Sequence, residues 1–111
     1  MKLLLRLVIS TLAIIVAANL VPGVVVDSLT TAIIVAIVLG LLNTFLKPVL
    51  QILALPITIL TLGLFYFVVN VFIIYLATYL VDGFAISNFI SALIFGLVVS
   101  VVSSILGMFL D

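Results

Sequence analysis

Very few side chains in this sequence could carry out chemistry, and their types exclude most catalytic mechanisms. The 111 residues include no histidine and no cysteine, so the usual general base, thiolate nucleophile and zinc ligands are missing. The three positive and three negative side chains give a net charge of zero. They are Lys2, Arg6, Asp27, Lys47, Asp82 and Asp111. They form no metal-ligand cluster, nucleophile arrangement or basic patch. The sequence therefore predicts a protein that is not an enzyme, has no catalytic, metal or cofactor site and binds no nucleic acid.

Two asparagines, Asn43 and Asn70, are the most polar side chains that lie well inside apolar sequence. An amide in lipid costs free energy unless it bonds to another helix. One interpretation is that both are buried and join helices of the same chain. The alternative is that they pair across subunits or face water in an assembled pore.

The composition defines the environment of these residues. Hydrophobic residues make up 69% of the chain, charged residues 5%, and the mean hydropathy is +1.86. A soluble domain carries roughly 25% charged residues. Most of the surface must therefore face a lipid bilayer, and the sequence predicts an integral membrane protein.

Four segments are long enough to cross a bilayer, which takes about 20 apolar residues. These segments are separated by residue pairs that disfavour a helix and are typical of turns: Pro22-Gly23, Lys47-Pro48 and Asp82-Gly83. The first segment is interpreted as an uncleaved span and not as a signal peptide, because more spans follow it. The predicted spans are Leu3–Val21, Leu29–Leu46, a span within Pro56–Val81, and Phe89–Leu110.

The three cations predict the orientation of these spans. Lysine and arginine stay on the cytoplasmic side of membrane proteins with short loops. Lys2 and Arg6 place the amino terminus inside, and two crossings return the chain to the inside at Lys47. We therefore expect both termini in the cytoplasm and Lys47 in a cytoplasmic turn.

The segment between the second and third spans is longer than a turn requires. Pro48 and Pro56 bracket the sequence VLQILAL, which is too short to cross a membrane. This segment predicts a short helix that is either interfacial or partly re-entrant. A re-entrant segment is possible because interrupted backbone at membrane depth is tolerated where protein or water surrounds it.

An internal repeat with an offset of 60 residues organises the chain. The sequence LVPG at 20–23 returns as LVDG at 80–83. A stripe of small residues, which lets helices approach closely, runs along the second and fourth spans. The stripe consists of Ala32, Ala36, Gly40 and Thr44 and, in the second copy, Ala92, Gly96, Ser100 and Ser104. Its partner is either the other half of the chain or another subunit.

The predicted fold is an all-α membrane protein with one domain over residues 1–111. Four transmembrane helices form two repeated hairpins of the same orientation, at about 3–46 and 63–110, linked by 47–62. The predicted partners are the lipid bilayer, further copies of the chain, and an unidentified membrane protein.

The middle of the chain resembles a known family. Asn43, the Lys47-Pro48 pair, the run LPITILTLGLF, Asn70 and the later LVDGF are similar to the pattern of the phage holin family, superfamily IV type. The family usually has proline where this chain has Asp82, a departure that affects a loop. The resemblance implies a protein of the bacterial inner membrane that oligomerises and opens lesions.

Three functions follow as hypotheses. The first is a holin-like protein that self-associates and permeabilises the inner membrane. The second is a non-lytic envelope protein of chromosomal origin that binds or scaffolds a membrane partner. The third, a small-solute transporter, lacks a carboxylate inside any predicted span. An adjacent endolysin gene would favour the first, and neighbouring envelope genes the second.

Overall fold

A computed structural model describes residues 2–110 of the chain; Met1 and Asp111 lie outside the described part. The described residues are mostly helical, with six α-helices, one π-helical segment and two short strands. In chain order the elements are α1 (Lys2–Leu20), β1 (Val24–Val26), α2 (Leu29–Leu41), the π segment (Leu42–Leu46), α3 (Lys47–Leu53), α4 (Leu55–Leu60), α5 (Phe65–Leu80), β2 (Phe84–Ile86) and α6 (Phe89–Leu110).

Three of the helices are long and apolar enough to cross a membrane. They are α1, the continuous helix Leu29–Leu53, and α6, while the apolar helix α5 is shorter at 16 residues. The described part of the molecule measures 39 × 31 × 22 Å, so its long dimension exceeds a hydrocarbon core of about 30 Å. Apolar side chains cover its outside, as lipid contact requires.

The core lies where these helices meet. Helix α1 packs on α6 and α2, and α5 packs on α6, α2 and α3. Ile14, Val35, Ile73 and Phe95, one from each of α1, α2, α5 and α6, are almost completely buried. Their burial excludes lipid from the centre of the bundle.

A two-stranded antiparallel ribbon closes one end of the bundle, where an all-α fold was expected. Val25 of β1 lies opposite Ala85 of β2, and the flanking pairs are Val24 with Ile86 and Val26 with Phe84. The turns that follow α1 and α5 therefore lie at the same end. The all-α prediction was wrong in this detail, because three-residue strands paired across 60 residues leave no periodic signal.

The turn pairs Pro22-Gly23 and Asp82-Gly83 both lie in turns that lead into the ribbon. Gly23 and Gly83 have φ angles of +90° and +88°. A Cβ on Gly23 would overlap Ser87 Oγ, and one on Gly83 would approach Asp27 Oδ2 to 2.9 Å. Glycine is therefore required at both turns for conformation and for space.

The second long helix does not end where the sequence predicted. It continues from α2 through the π segment into α3, so that Lys47 and Pro48 are helical. The π segment explains how the helix accepts proline, whose ring would otherwise clash with the carbonyl four residues earlier. The predicted end at Leu46 and the predicted turn at Lys47-Pro48 were wrong.

The linker to α5 forms helices on both sides of a break at Ala54. Pro56 is the second residue of α4, where its missing N–H is not needed, so it starts a helix and does not form the predicted turn. Leu62 and Gly63, with φ angles of 57° and 92°, then end α4 and redirect the chain into α5.

Candidate functional site

The structure joins two residues that the sequence singled out for different reasons. Nζ of Lys47, at the start of α3, donates a hydrogen bond to Oδ1 of Asn70 in α5 over 3.1 Å. Both side chains are partly buried. A hydrogen bond from an ammonium group is stronger than one between neutral groups. Lys47 is thus held against the bundle, and Asn70 satisfies part of its hydrogen-bonding capacity.

Gly96 provides the space in which the Asn70 amide lies. A Cβ placed on Gly96 of α6 would come within 2.5 Å of Asn70 Nδ2 and 3.1 Å of Ile74 Cδ1. The glycine is itself buried. The amide therefore packs against the surface of α6 because no side chain occupies that position. We call Lys47, Asn70 and Gly96 the amide site.

The π segment determines how Lys47 reaches this site. The backbone N–H of Lys47 bonds to the carbonyl of Leu42, five residues earlier, and not to the usual carbonyl four residues earlier. The extra residue in this turn rotates α3 about the helix axis relative to α2, and so changes which side chains of α3 face α5. Thr44, inside the segment, donates its hydroxyl to the Gly40 carbonyl over 2.8 Å. This local distortion accompanies the approach of Lys47 to α5.

Among the described residues, the partner of the Lys47 ammonium group is the neutral amide of Asn70 and not a carboxylate. Asp27 precedes α2 and lies about 30 Å away along the helix at 1.5 Å per residue. Asp82 follows α5, about 18 Å along that helix from Asn70. An ammonium group has three N–H donors. Those not bonded to Asn70 can bind water or an anionic or carbonyl oxygen, which makes this partly buried cation a candidate functional group.

Asn43 does not join the amide site. Its side chain is exposed on the outside of the π segment, and so the prediction that it is buried was wrong for a single chain. The two amides therefore have different environments: that of Asn43 is exposed, whereas that of Asn70 is partly buried and bonded to Lys47. The apolar sequence around each gave no way of distinguishing them.

The stripe of small residues divides into an inner and an outer part. Ala32, Ala36, Ala92 and Gly96 are buried in the bundle. The other four, which lie further along the same helices, are exposed: Gly40, Thr44, Ser100 and Ser104. A Cβ on Gly40 would find no atom within 4 Å. The inner part therefore packs within the chain, whereas the outer part faces outward.

Lys2 and Arg6, used in the sequence to predict orientation, lie on the first two turns of α1. This is the end of α1 away from the ribbon. Sequence reasoning missed that they line a cleft together with Ser10, Ser103 and Gly107. A signal was present in the spacing of Lys2, Arg6 and Ser10, which places them on one helical face.

The helical bundle, its apolar surface and its long apolar helices define a helical integral membrane protein. The chain belongs to the family described as mycobacterial 4 TMS phage holin, superfamily IV, whose model matches residues 1–105. The resemblance found in the sequence is thereby confirmed.

Two relatives have bacterial sources. An uncharacterised protein of Streptomyces coelicolor is 44% identical over 84 residues, which cover 72% of this chain and 67% of the relative. The uncharacterised membrane protein YvlD of Bacillus subtilis is 34% identical over 96 residues, covering 86% of this chain and 81% of the relative. No solved structure matches the chain.

Proposed function

We propose that this protein is a holin-like integral membrane protein that self-associates in the bacterial inner membrane and permeabilises it without an enzymatic step. Family membership supports the holin-like class. One observation carries the self-association. Asn43 is exposed at the surface of a helix long enough to cross the bilayer, next to the exposed outer part of the small-residue stripe.

The physical argument concerns the exposed amide. An amide that faces hydrocarbon without a partner costs free energy, and helices in membranes use asparagine to bond across to a neighbour. Gly40, one turn before Asn43, leaves open space in which a second helix can approach. Thr44 adds a small side chain on the same side. We call Gly40, Asn43 and Thr44 the outer face, and a second copy of the chain is its proposed partner.

The proposed membrane arrangement has four spans in two hairpins, α1 with α2 and α5 with α6. Contacts that recur at the 60-residue offset support it. The N–H of Ser87 bonds to the Gly23 carbonyl over 2.9 Å, and the N–H of Asp27 bonds to the Gly83 carbonyl over 3.0 Å. The register of the ribbon, centred on Val25 and Ala85, is symmetric in the same way. A pseudo-two-fold axis through the ribbon relates the two halves.

The proposed orientation places the ribbon outside the cell and both termini in the cytoplasm. The ribbon holds residues 24–26 and 84–86 at the same end of the bundle. Lys2 and Arg6 lie at the other end of α1, in agreement with the distribution of cations in inner-membrane proteins. Lys47 is separated from the ribbon by the full length of α2 and the π segment.

Gly40→Leu tests the self-association. A leucine at this open position should leave the single chain intact but hold a second helix away from the outer face. We expect association to weaken by roughly 1–2 kcal/mol, or about five- to thirtyfold. The chain has no cysteine, so Ala85→Cys on the exposed side of the ribbon provides a unique labelling site. Energy transfer between labelled copies in vesicles, at increasing lipid dilution, measures the association.

Gly107→Leu is the matched control for that experiment. Gly107 also lies in a helix at a position where an added Cβ would meet no atom within 4 Å, but it lies near the end of α6, on a different helix from the outer face. Its association should equal that of the wild type. Equal association of wild type and Gly40→Leu, or equal weakening by both substitutions, would count against the outer face as the contact.

The alternative is a non-lytic envelope protein that binds or scaffolds a membrane partner. The amide site favours it, because Asn70 is bonded to Lys47 within one chain and needs no water-filled assembly. The two functions differ in one observable property. A scaffold can accumulate in a sealed membrane, whereas a holin-like protein makes the membrane leak.

A further inference from the structure

A cleft of about 340 Å³ lies between the beginning of α1 and the end of α6. This volume falls at the lower end of the range for small-molecule sites, roughly 300–1,000 Å³. Lys2, Arg6 and Ser10 line it from α1, and Ser103 and Gly107 line it from α6. None of these residues belongs to the amide site or to the outer face.

The charges and hydroxyls of the cleft suit an anion. Lys2, Arg6 and Ser10 are spaced four residues apart, so their side chains lie on one face of α1. Ser103 supplies a further hydroxyl from the opposite wall. A guanidinium group, an ammonium group and hydroxyls are donors that bind phosphate oxygens. The cleft therefore offers several donors from two helices to one anionic group.

The 60-residue offset gives an independent reason why this space is open. Ser10 corresponds to Asn70, and Gly107 corresponds to Lys47. In one half of the molecule, the Lys47 side chain reaches Asn70. In the other half, the equivalent position has no side chain, and a Cβ on Gly107 would find open space. The cleft is thus the counterpart of the amide site with its long side chain removed.

The surroundings of the cleft identify the source of the anion. Leu3, Leu4, Met108 and Phe109 are all strongly exposed at the same end of α1 and α6, with exposed fractions of 64–82%. These side chains would contact acyl chains in a bilayer. A basic cleft between transmembrane helices at the proposed cytoplasmic side is the setting in which proteins bind anionic lipid headgroups. We propose that the cleft binds the phosphate of an anionic phospholipid, independently of whether the protein permeabilises membranes.

Lipid retention during purification tests the proposal. The wild-type protein is equilibrated in detergent micelles that contain equal amounts of phosphatidylglycerol and phosphatidylcholine, repurified, and its bound lipid measured by mass spectrometry. The wild type should retain mainly phosphatidylglycerol. Arg6→Gln should lower that retention about fivefold, as expected for one cation near a lipid headgroup. Gly107→Leu, which keeps every charge but fills the cleft, should also lower it.

Gly40→Leu provides the matched control, because it makes the same exchange at an open glycine outside the cleft. It should retain phosphatidylglycerol like the wild type. Asp111 lies outside the described residues, and Asp111→Asn should leave or raise the retention if the cleft holds an anion. Equal retention by wild type, Arg6→Gln and Gly107→Leu would overturn the proposal, as would a loss in Asp111→Asn. Displacement of the lipid by millimolar inorganic phosphate would also overturn it, in favour of a soluble phosphate.

Discussion

Gly96→Leu should destabilise the folded chain by roughly 2–6 kcal/mol. Even the first atom of the new side chain would lie within 2.5 Å of the Asn70 amide. Overpacking of a core costs about 1–3 kcal/mol, and displacing Asn70 from Lys47 adds the cost of unpaired polar groups, also about 1–3 kcal/mol. Reversible unfolding in mixed micelles, followed by circular dichroism, measures the loss.

Gly40→Leu is the control that separates this effect from helix propensity. It introduces the same side chain into a helix at a position with open space. Because leucine favours a helix more than glycine does, its unfolding free energy should equal that of the wild type or exceed it by up to about 1 kcal/mol when the chain is monomeric. The account of Gly96 would be contradicted if both variants were equally stable, since the sequence alone treats the two glycines as equivalent members of one stripe.

Asn70→Leu should destabilise the chain by about 1–3 kcal/mol. The substitution removes the acceptor of a partly buried ammonium group and leaves that charge without its described partner. Lys47→Met removes the charge and should cost less, because a neutral amide is easier to leave unpaired. The same unfolding measurement applies to both variants.

The double variant Lys47→Met, Asn70→Leu distinguishes a specific contact from general effects of either substitution. Replacing both partners by apolar groups can be nearly neutral, so its cost should fall below the sum of the single costs by about 0.5–3 kcal/mol. Asn43→Leu, at the exposed asparagine, should leave the monomer's stability unchanged. Strict additivity of the two substitutions would refute the proposed coupling.

The helices at the two ends of the sequence could be predicted well. Helix α6 spans Phe89–Leu110, as the sequence predicted, because a long apolar run follows a clear turn. Helix α1 covers Lys2–Leu20 and ends before the Pro22-Gly23 turn. In both cases one local signal determines the boundary, and no distant contact is needed to explain it.

The second long helix could not be predicted from the same rules. Proline normally marks a helix boundary, and a lysine in apolar sequence normally marks a loop. Here the π segment accommodates Pro48, and the distant Asn70 compensates Lys47. Both compensations depend on structure that is absent from the local sequence.

The ribbon and the two asparagines illustrate the same limit. Strands of three residues carry too little pattern to be recognised, and β1 pairs with a segment 60 residues away. Asn43 and Asn70 lie in similar apolar surroundings in sequence, yet one is exposed and the other partly buried. Only the packing of α3, α5 and α6 around Asn70 distinguishes them.

The most direct test of the proposed function is the membrane potential of bacteria during induced expression, with membrane levels of the protein measured in parallel. Wild-type protein should depolarise the cells abruptly once it reaches a threshold level. Gly40→Leu, at equal abundance, should delay depolarisation, because the outer face can no longer assemble closely; Gly107→Leu should not delay it. Accumulation of wild-type protein to high levels in a membrane that keeps its potential would contradict the permeabilising function.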